Sequence, residues 1–223
     1  MSEEIATLSG PDICFLYNPS SNSGRSTSAK HELKALIGKH FPKAAFICTK
    51  EEFGFWDRLE NGLLGIKTVI ACGGDGTVHN VGNLAVKLNA ALGVIPIGSG
   101  NDFAHLMNIP LSIPEAFKRL LDPDYRSIDL IKIDGDISCY CLNTAGIGLD
   151  GLANHYTHRL KPLLGQTAYL AGAVVAILDR KAVEISINVD NEPTVDNLIM
   201  ATVCNGRREG GSFWVAPDAV PDD

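Results

Sequence analysis

The chain has 223 residues, 45% hydrophobic and 20% charged, with 19 basic residues against 26 acidic ones. That apolar content excludes wholesale disorder. A net charge of −7 argues against a general nucleic-acid binder, which would carry a basic stripe, so no nucleic-acid partner is expected.

The N-terminal MSEEIATLSGPD has no basic head and no apolar segment, so no secretory leader is expected. Asp12–Asn18 (DICFLYN) is an apolar strand ending in Asn-Pro. Ser26–His40 carries Leu33, Leu36 and Ile37 at helical spacing. Ala44–Thr49 reads as a second strand, and a helix covers part of Glu51–Leu64. Lys67–Cys72 (KTVIAC) is a third strand running into Gly73-Gly74, followed by a helix over Val78–Leu88. Leu92–Ile97 is a fourth strand, again ending in a glycine turn. Continuous apolar strands separated by helices predict a parallel sheet covered on both faces.

The pattern changes near residue 125, around Asp122-Pro123, where a boundary divides 1–125 from 126–223. Arg126–Asp134 and Ile137–Thr144 read as a hairpin through Asp134-Gly135-Asp136. Helical stretches follow over about Leu152–Lys161 and Gly165–Leu178. The second of these includes the longest apolar run, which is far shorter than the about 20 residues a bilayer span needs. Val183–Val189 and Leu198–Cys204 then read as a second hairpin, turning at Asp190–Glu192. The expected fold is an N-terminal α/β domain followed by an incomplete antiparallel β-rich domain. Ala216–Asp223 carries no closing element, so the chain reads as a fragment of a longer protein. Unpaired strands would suit pairing with a second copy. The six cysteines lie in or beside apolar runs and read as buried, reduced thiols of a cytoplasmic protein.

The strongest chemical signal is Gly73-Gly74-Asp75-Gly76-Thr77, between a strand and a helix. Glycines allow a sharp turn and close approach to a ligand, and the helix N-terminus behind them favours phosphate. Asp75 could hold Mg²⁺; the plain alternative is a tight turn with an Asp/Thr cap. Gly98-Ser99-Gly100-Asn101-Asp102 follows the fourth strand, and Asn18-Pro19-Ser20-Ser21-Asn22-Ser23-Gly24-Arg25 follows the first. Loops at successive carboxyl ends of parallel strands should gather at one rim. Arg25 and Lys30 could neutralise phosphate. A literal G-x-G-x-x-G at Gly146, Gly148 and Gly151 lacks the acidic residue about 20 positions on that dinucleotide binding needs. His155 and His158, with Arg159 and Lys161, form a basic patch that is either a solvated helix end or a contact for anionic lipid.

Taken together, NPSSNSGR at 18–25, GGDGTVHN at 73–80, GVIPIGSGNDFA at 93–104, NTAGIGLDG at 143–151 and NGRREGGSFWVAPDA at 205–219 resemble the diacylglycerol kinase catalytic-domain family, in particular its soluble bacterial lipid kinases. The resemblance implies ATP and Mg²⁺ as cofactors and transfer of the γ-phosphate to a lipid hydroxyl such as that of diacylglycerol. It places ATP contacts on Asn18, Pro19, Ser20, Ser21, Asn22, Thr49, Gly73, Gly74, Asp75, Gly76, Thr77, Val78, His79 and Ser99. It places an acidic catalytic cluster on Asp75, Asp102 and Asp129, with Asp75 on the metal. The proton acceptor would lie beyond Asp223, so little turnover is expected of this chain by itself. Many relatives carry Glu where this chain has Asn80. The expected setting is a cytoplasmic protein with peripheral membrane contact. The competing readings are an NAD-kinase-like enzyme and a catalytically incomplete nucleotide- or lipid-binding module.

Overall fold

A computed structural model of the chain describes residues 12–21, 26–164, 167–210 and 213–223. Asn22, Arg25 and the first eleven residues, on which part of the sequence reading falls, lie outside these.

The chain divides into two compact units, residues 1–143 with 205–223, and residues 144–204. The first unit is organised by a four-stranded sheet. Its strands are β1 (Ile13–Tyr17), β2 (Ala45–Cys48), β3 (Thr68–Gly73) and β4 (Ala91–Pro96), all parallel, in the order β2-β1-β3-β4. Helices α1 (Ser26–His40), α2 (Phe55–Gly62) and α3 (Asp75–Leu88) connect them. Alternate strand residues point to opposite faces. Cys14, Leu16, Val69, Ala71 and Val94 meet Leu59 of α2 and Val81 and Leu84 of α3. Phe15, Tyr17, Ile70, Cys72 and Ile95 meet Leu33 and Ile37 of α1. This is the expected covered parallel sheet.

Helix α3 begins at Asp75, three residues before the predicted start, because the glycine turn leads directly into it. Two helices were not anticipated: α4 (Asp102–Leu106) and α5 (Ile113–Leu121). The second has a readable origin, with Pro114 in its first turn and Ser112 Oγ donating to Glu115 Oε2 (2.7 Å). Its Phe117 is fully buried, stacked on Phe15 and edge-on to Phe41.

The first predicted hairpin is shorter than expected. Only β5 (Ile131–Ile133) and β6 (Cys139–Cys141) pair, with Ile131 opposite Cys141. Residues 123–130, starting at a proline, form no strand. Asn83 of α3 docks β6 like a neighbouring strand: its Nδ2 donates to the Tyr140 carbonyl, and its Oδ1 accepts the Tyr140 amide, both at 2.8 Å. The returning segment carries a small hairpin of β11 (Arg208–Glu209) and β12 (Phe213–Trp214).

In the second unit, β7 (Thr144–Gly148) is a strand of its own, where the sequence reading ended the first hairpin at Thr144. Helices α6 (Leu149–Leu164) and α7 (Ala168–Asp179) follow, then β8 (Val183–Val189), β9 (Glu192–Leu198) and β10 (Met200–Cys204). The second predicted hairpin has a different partner: β8 pairs with Glu192–Leu198, and Met200–Cys204 pairs with β7. Pro193, Asp196 and Asn197 disguised β9 as loop. Asp190 and Asn191 both take positive φ (52° and 69°), the tight two-residue hairpin turn. Gly148 also needs its glycine, with φ of 88° and no room for a Cβ against Ile199. The Asp150 carboxylate occupies the space where a Gly146 side chain would project, and accepts the Thr202 hydroxyl (2.7 Å). These glycines therefore serve packing.

Candidate functional site: three loops at the switch point of the sheet

The strand order reverses between β1 and β3, which makes the gap above their carboxyl ends the switch point where parallel sheets hold ligands. The first loop is fastened there at both levels of the chain. The Asn18 amide donates to the Cys72 carbonyl (3.0 Å), and the Asn18 side-chain amide donates to Thr77 Oγ1 (2.9 Å). Asn18 Oδ1 also accepts the Ser20 amide, holding Pro19 and Ser20 in a tight turn. Ser21 and Thr49 are buried at the ends of β1 and β2, where the Thr49 amide donates to the Tyr17 carbonyl.

The two glycine loops touch. The Ile97 amide donates to the Gly73 carbonyl (2.8 Å), and a Cβ on Gly98 would run into the Cα of Gly74. Asn101 holds the second loop closed: its Oδ1 accepts the Gly98 amide and its Nδ2 donates to the Gly98 carbonyl, both at 2.9 Å. Its backbone is left-handed, φ 55°. That turns the Asn101 amide onto Asp75 Oδ2 at 2.8 Å. The other carboxylate oxygen, Asp75 Oδ1, is buried with no hydrogen-bond partner among the described residues. Among the described residues no side chain caps the N-terminus of α3, where Gly74 is the first residue outside the helix. An uncapped helix start presents amide donors and the positive end of the dipole.

Thr77 and Val78 are buried, with their amides on the Gly74 carbonyl; Gly76 and Ser99 are exposed. His79 is half-buried, and burial pushes its pKa below the usual histidine value. Asp102 is buried at the start of α4. Asp129 is exposed and is held through its backbone: its amide donates to the Pro221 carbonyl (2.7 Å), and its carbonyl accepts Asn205 Nδ2 (2.6 Å). Among the described residues, no three His, Cys, Asp or Glu side chains form a metal cage. Mg²⁺ commonly needs only one or two protein carboxylates beside phosphate and water oxygens, so the unpartnered Asp75 oxygen fits that role.

The sequence reading singled out Asn101 as part of a loop but gave it no role, although it fixes Asp75. It also gave no role to Asn205. That residue is buried; its amide meets the Asn143 carbonyl (2.7 Å), and its side chain bridges the carbonyls of Asp129 and Leu142. Asn143 and Asn205 stand where the chain leaves and re-enters the first unit. The six cysteines are free, but only Cys14 and Cys72 are fully buried; the other four are half-exposed, which corrects the reading of uniform burial. Burial pushes the Cys14 thiol up to about 12 and the Cys72 thiol further, which leaves both inert. A cavity of about 520 Å³ lies away from the loops, lined by Ile13, Thr68 and Ala91 at the opposite strand ends.

A parallel sheet with glycine loops converging at its switch point is the arrangement in which α/β proteins commonly hold ligands. The comparisons narrow this. Residues 12–133 match the model of the diacylglycerol kinase catalytic domain, and residues 143–223 match that of the YegS C-terminal NAD kinase beta sandwich-like domain. The chain belongs to the diacylglycerol kinase catalytic-domain family. It is 30% identical over 72% of its length to a protein of Salmonella arizonae named "Probable lipid kinase YegS", and as similar to "Probable lipid kinase YegS-like" of Enterobacter sp. (strain 638). It spans 54% of each of these relatives, about half their length. A crystal structure of a candidate diacylglycerol kinase from Bacillus anthracis str. Sterne superposes with a TM-score of 0.77. The match has 26% identity and covers 95% of this chain and 72% of that one. The α/β domain followed by an antiparallel β-rich region is thus the family's fold.

Proposed function

We propose that the chain carries the nucleotide-gripping part of an ATP-dependent lipid kinase. Such an enzyme moves the γ-phosphate to a lipid hydroxyl, with diacylglycerol as the first acceptor to test and phosphatidic acid as its product. The observation that carries the reading is the Asp75 carboxylate. One oxygen is locked by the Asn101 amide, and the other is buried and, among the described residues, unpartnered, at a helix start that none of their side chains caps. Phosphoryl transfer asks chiefly for positioning and charge neutralisation, and this arrangement offers both.

In this reading Asp75 Oδ1 is the magnesium ligand. Bound there, the ion would screen charge building on the transferred group. Asn101 keeps the carboxylate from rotating away, and the Asn18–Thr77 bond holds the first loop over the amide donors of α3. Ser20, Ser21, Thr49, Val78, His79 and Ser99 surround the nucleotide. Asp102 and Asp129 support the water network, and residues 126–223 contribute to lipid binding. The family match and the relatives' names support a lipid acceptor over NAD.

The test is radiolabelled phosphate transfer from ATP to diacylglycerol, other lipid alcohols and NAD, together with calorimetric ATP titration. Asp75→Asn should abolish the magnesium dependence of ATP binding and, in a chain extended to the relatives' full length, lower transfer by about 10²–10³-fold. Full magnesium-dependent binding by that variant would remove Asp75 from the site. Gly76→Ala sharpens the result. A Cβ there meets no atom of the described residues within 4 Å, so the fold should be unharmed and any lost ATP affinity reports the ligand itself.

A further inference from the structure

Strands β8 (Val183–Val189) and β9 (Glu192–Leu198) pair with each other and, among the described residues, with no other strand. Each has an outer edge, and a row of unpaired backbone groups is a template for another strand. Which groups point outward follows from the turn. Asp190 and Asn191 both have positive φ, so Val189 and Glu192 flank a two-residue turn and form a hydrogen-bonded pair. Such pairs alternate along an antiparallel ladder. Val183, Ile185, Ile187 and Val189 therefore direct their backbone groups to β9, while Glu184, Ser186 and Asn188 aim theirs at the open edge. On β9 the outward residues are Pro193, Val195 and Asn197.

The two edges differ. Pro193 has no amide to offer, and the Asn197 amide is taken by Asp196 Oδ1 (2.7 Å). Both devices blunt an edge against further pairing. The β8 edge carries neither among the described residues, and Glu184, Ser186 and Asn188 are all exposed.

The β8 sequence (VEISINV) is also complementary to itself. Laid antiparallel on a second copy about Ser186, Val183 falls opposite Val189 and Ile185 opposite Ile187, all on one face. Glu184 falls opposite Asn188, and Ser186 meets its own counterpart on the two-fold axis. The outward backbone groups then coincide with the hydrogen-bonded positions of the new ladder. Val183 and Val189, 50% and 61% exposed, join Ile185 and Ile187 in one apolar face that runs across both copies. Beyond the strand, Arg180 and Lys181 of each copy come beside Asp190 and Glu192 of the other, so opposite charges meet at both ends. Sliding the register by two residues would set Lys181 against Val189, or Val183 against Asn191.

We propose that β8 is a self-complementary edge through which two copies of this chain join, antiparallel about Ser186, into a four-stranded sheet of order β9-β8-β8-β9. The closed two-fold leaves only the blunted β9 edges outside. The proposal goes beyond the kinase reading and stands without it.

Sedimentation velocity of the 223-residue protein over a concentration series tests it. One strand edge is a small interface, so monomer and dimer should exchange reversibly. Ser186→Pro removes the donor on the two-fold axis but no hydrogen bond to β9, and should weaken association by about tenfold or more. Should that variant fail to fold, Ser186→Cys serves, because hydrogen-bonded antiparallel neighbours sit about 5.5 Å apart at Cα, within disulfide reach. It should give a covalent dimer under mild oxidation beyond any formed by the parent, whereas Val195→Cys should not. Arg180→Glu should weaken the dimer a few fold, and adding Glu192→Arg should restore it. A parent that stays monomeric at every concentration, a folded Ser186→Pro variant that associates as the parent does, or a Ser186→Cys variant no more readily cross-linked than the parent would overturn the proposal.

Discussion

The parallel sheet and the β8 strand of the β8–β9 hairpin both carry β-branched residues and end in opposite surroundings. Val69 to Gly73 of β3 are buried without a break, whereas only Ile185 and Ile187 of β8 and Leu198 of β9 are even half-buried. Each parallel connection carries a helix, so the crossovers that join the strands also cover them. A hairpin brings no cover of its own, and two strands by themselves are marginal in water. Stability in this chain therefore sits with the unit built on the parallel sheet.

The sharpest way to break that comparison is a paired truncation. Phe117→Ala removes a fully buried ring from the Phe15–Phe41 cluster and should cost about 3–5 kcal/mol in denaturant unfolding. Val195→Ala, on the exposed β9, should stay within about 0.5 kcal/mol. Similar costs at both positions would mean that β8–β9 is covered in solution. Next in size, Asn205→Ala deprives the Asp129 and Leu142 carbonyls of their shared donor and should cost about 2 kcal/mol. A null effect would show that the leaving and returning strands need no clamp. Gly98→Ala drives a Cβ against Gly74 and within 2.8 Å of Asn101 Oδ1, for about 1–3 kcal/mol, with a matching loss of ATP affinity. Lost stability with unaltered affinity would separate the two glycine loops from the site.

The smallest effect concerns His79. Burial lowers its folded-state pKa, so the unfolded chain binds the proton more readily. The stability this neutral histidine contributes is present above the unfolded value of about 6.5 and declines as pH falls through it toward the folded pKa. His79→Gln should flatten the unfolding midpoint between pH about 7.5 and about 5.5. An identical slope in the variant would assign the pH dependence to other groups.

Much of the first unit was readable from local pattern. α1 matches its predicted bounds, and the strands shift by a residue or two, because four apolar runs bounded by glycine, proline or asparagine admit few alternatives. The loops of the site were readable for the same reason. The ties between them were not. Asn101 reaches Asp75 only because its left-handed turn faces the neighbouring strand's loop. Asn83 and Asn205 bond to backbone 57 to 76 residues away, and nothing in their surroundings announces it. β9 was missed because a polar strand exposed on both faces leaves no periodic trace.

Composition and period therefore determined a covered parallel sheet, its order of elements and the glycine turns at its strand ends, since burial on both faces demands unbroken apolar runs. Tertiary structure decided which loops touch, which oxygen of Asp75 is committed and which strand β10 joins, since those outcomes depend on pairings between segments far apart in the chain. It also decided that α7 shows water its apolar side. Sequence made that helix apolar almost all round, and only packing on α6 chose the face to hide.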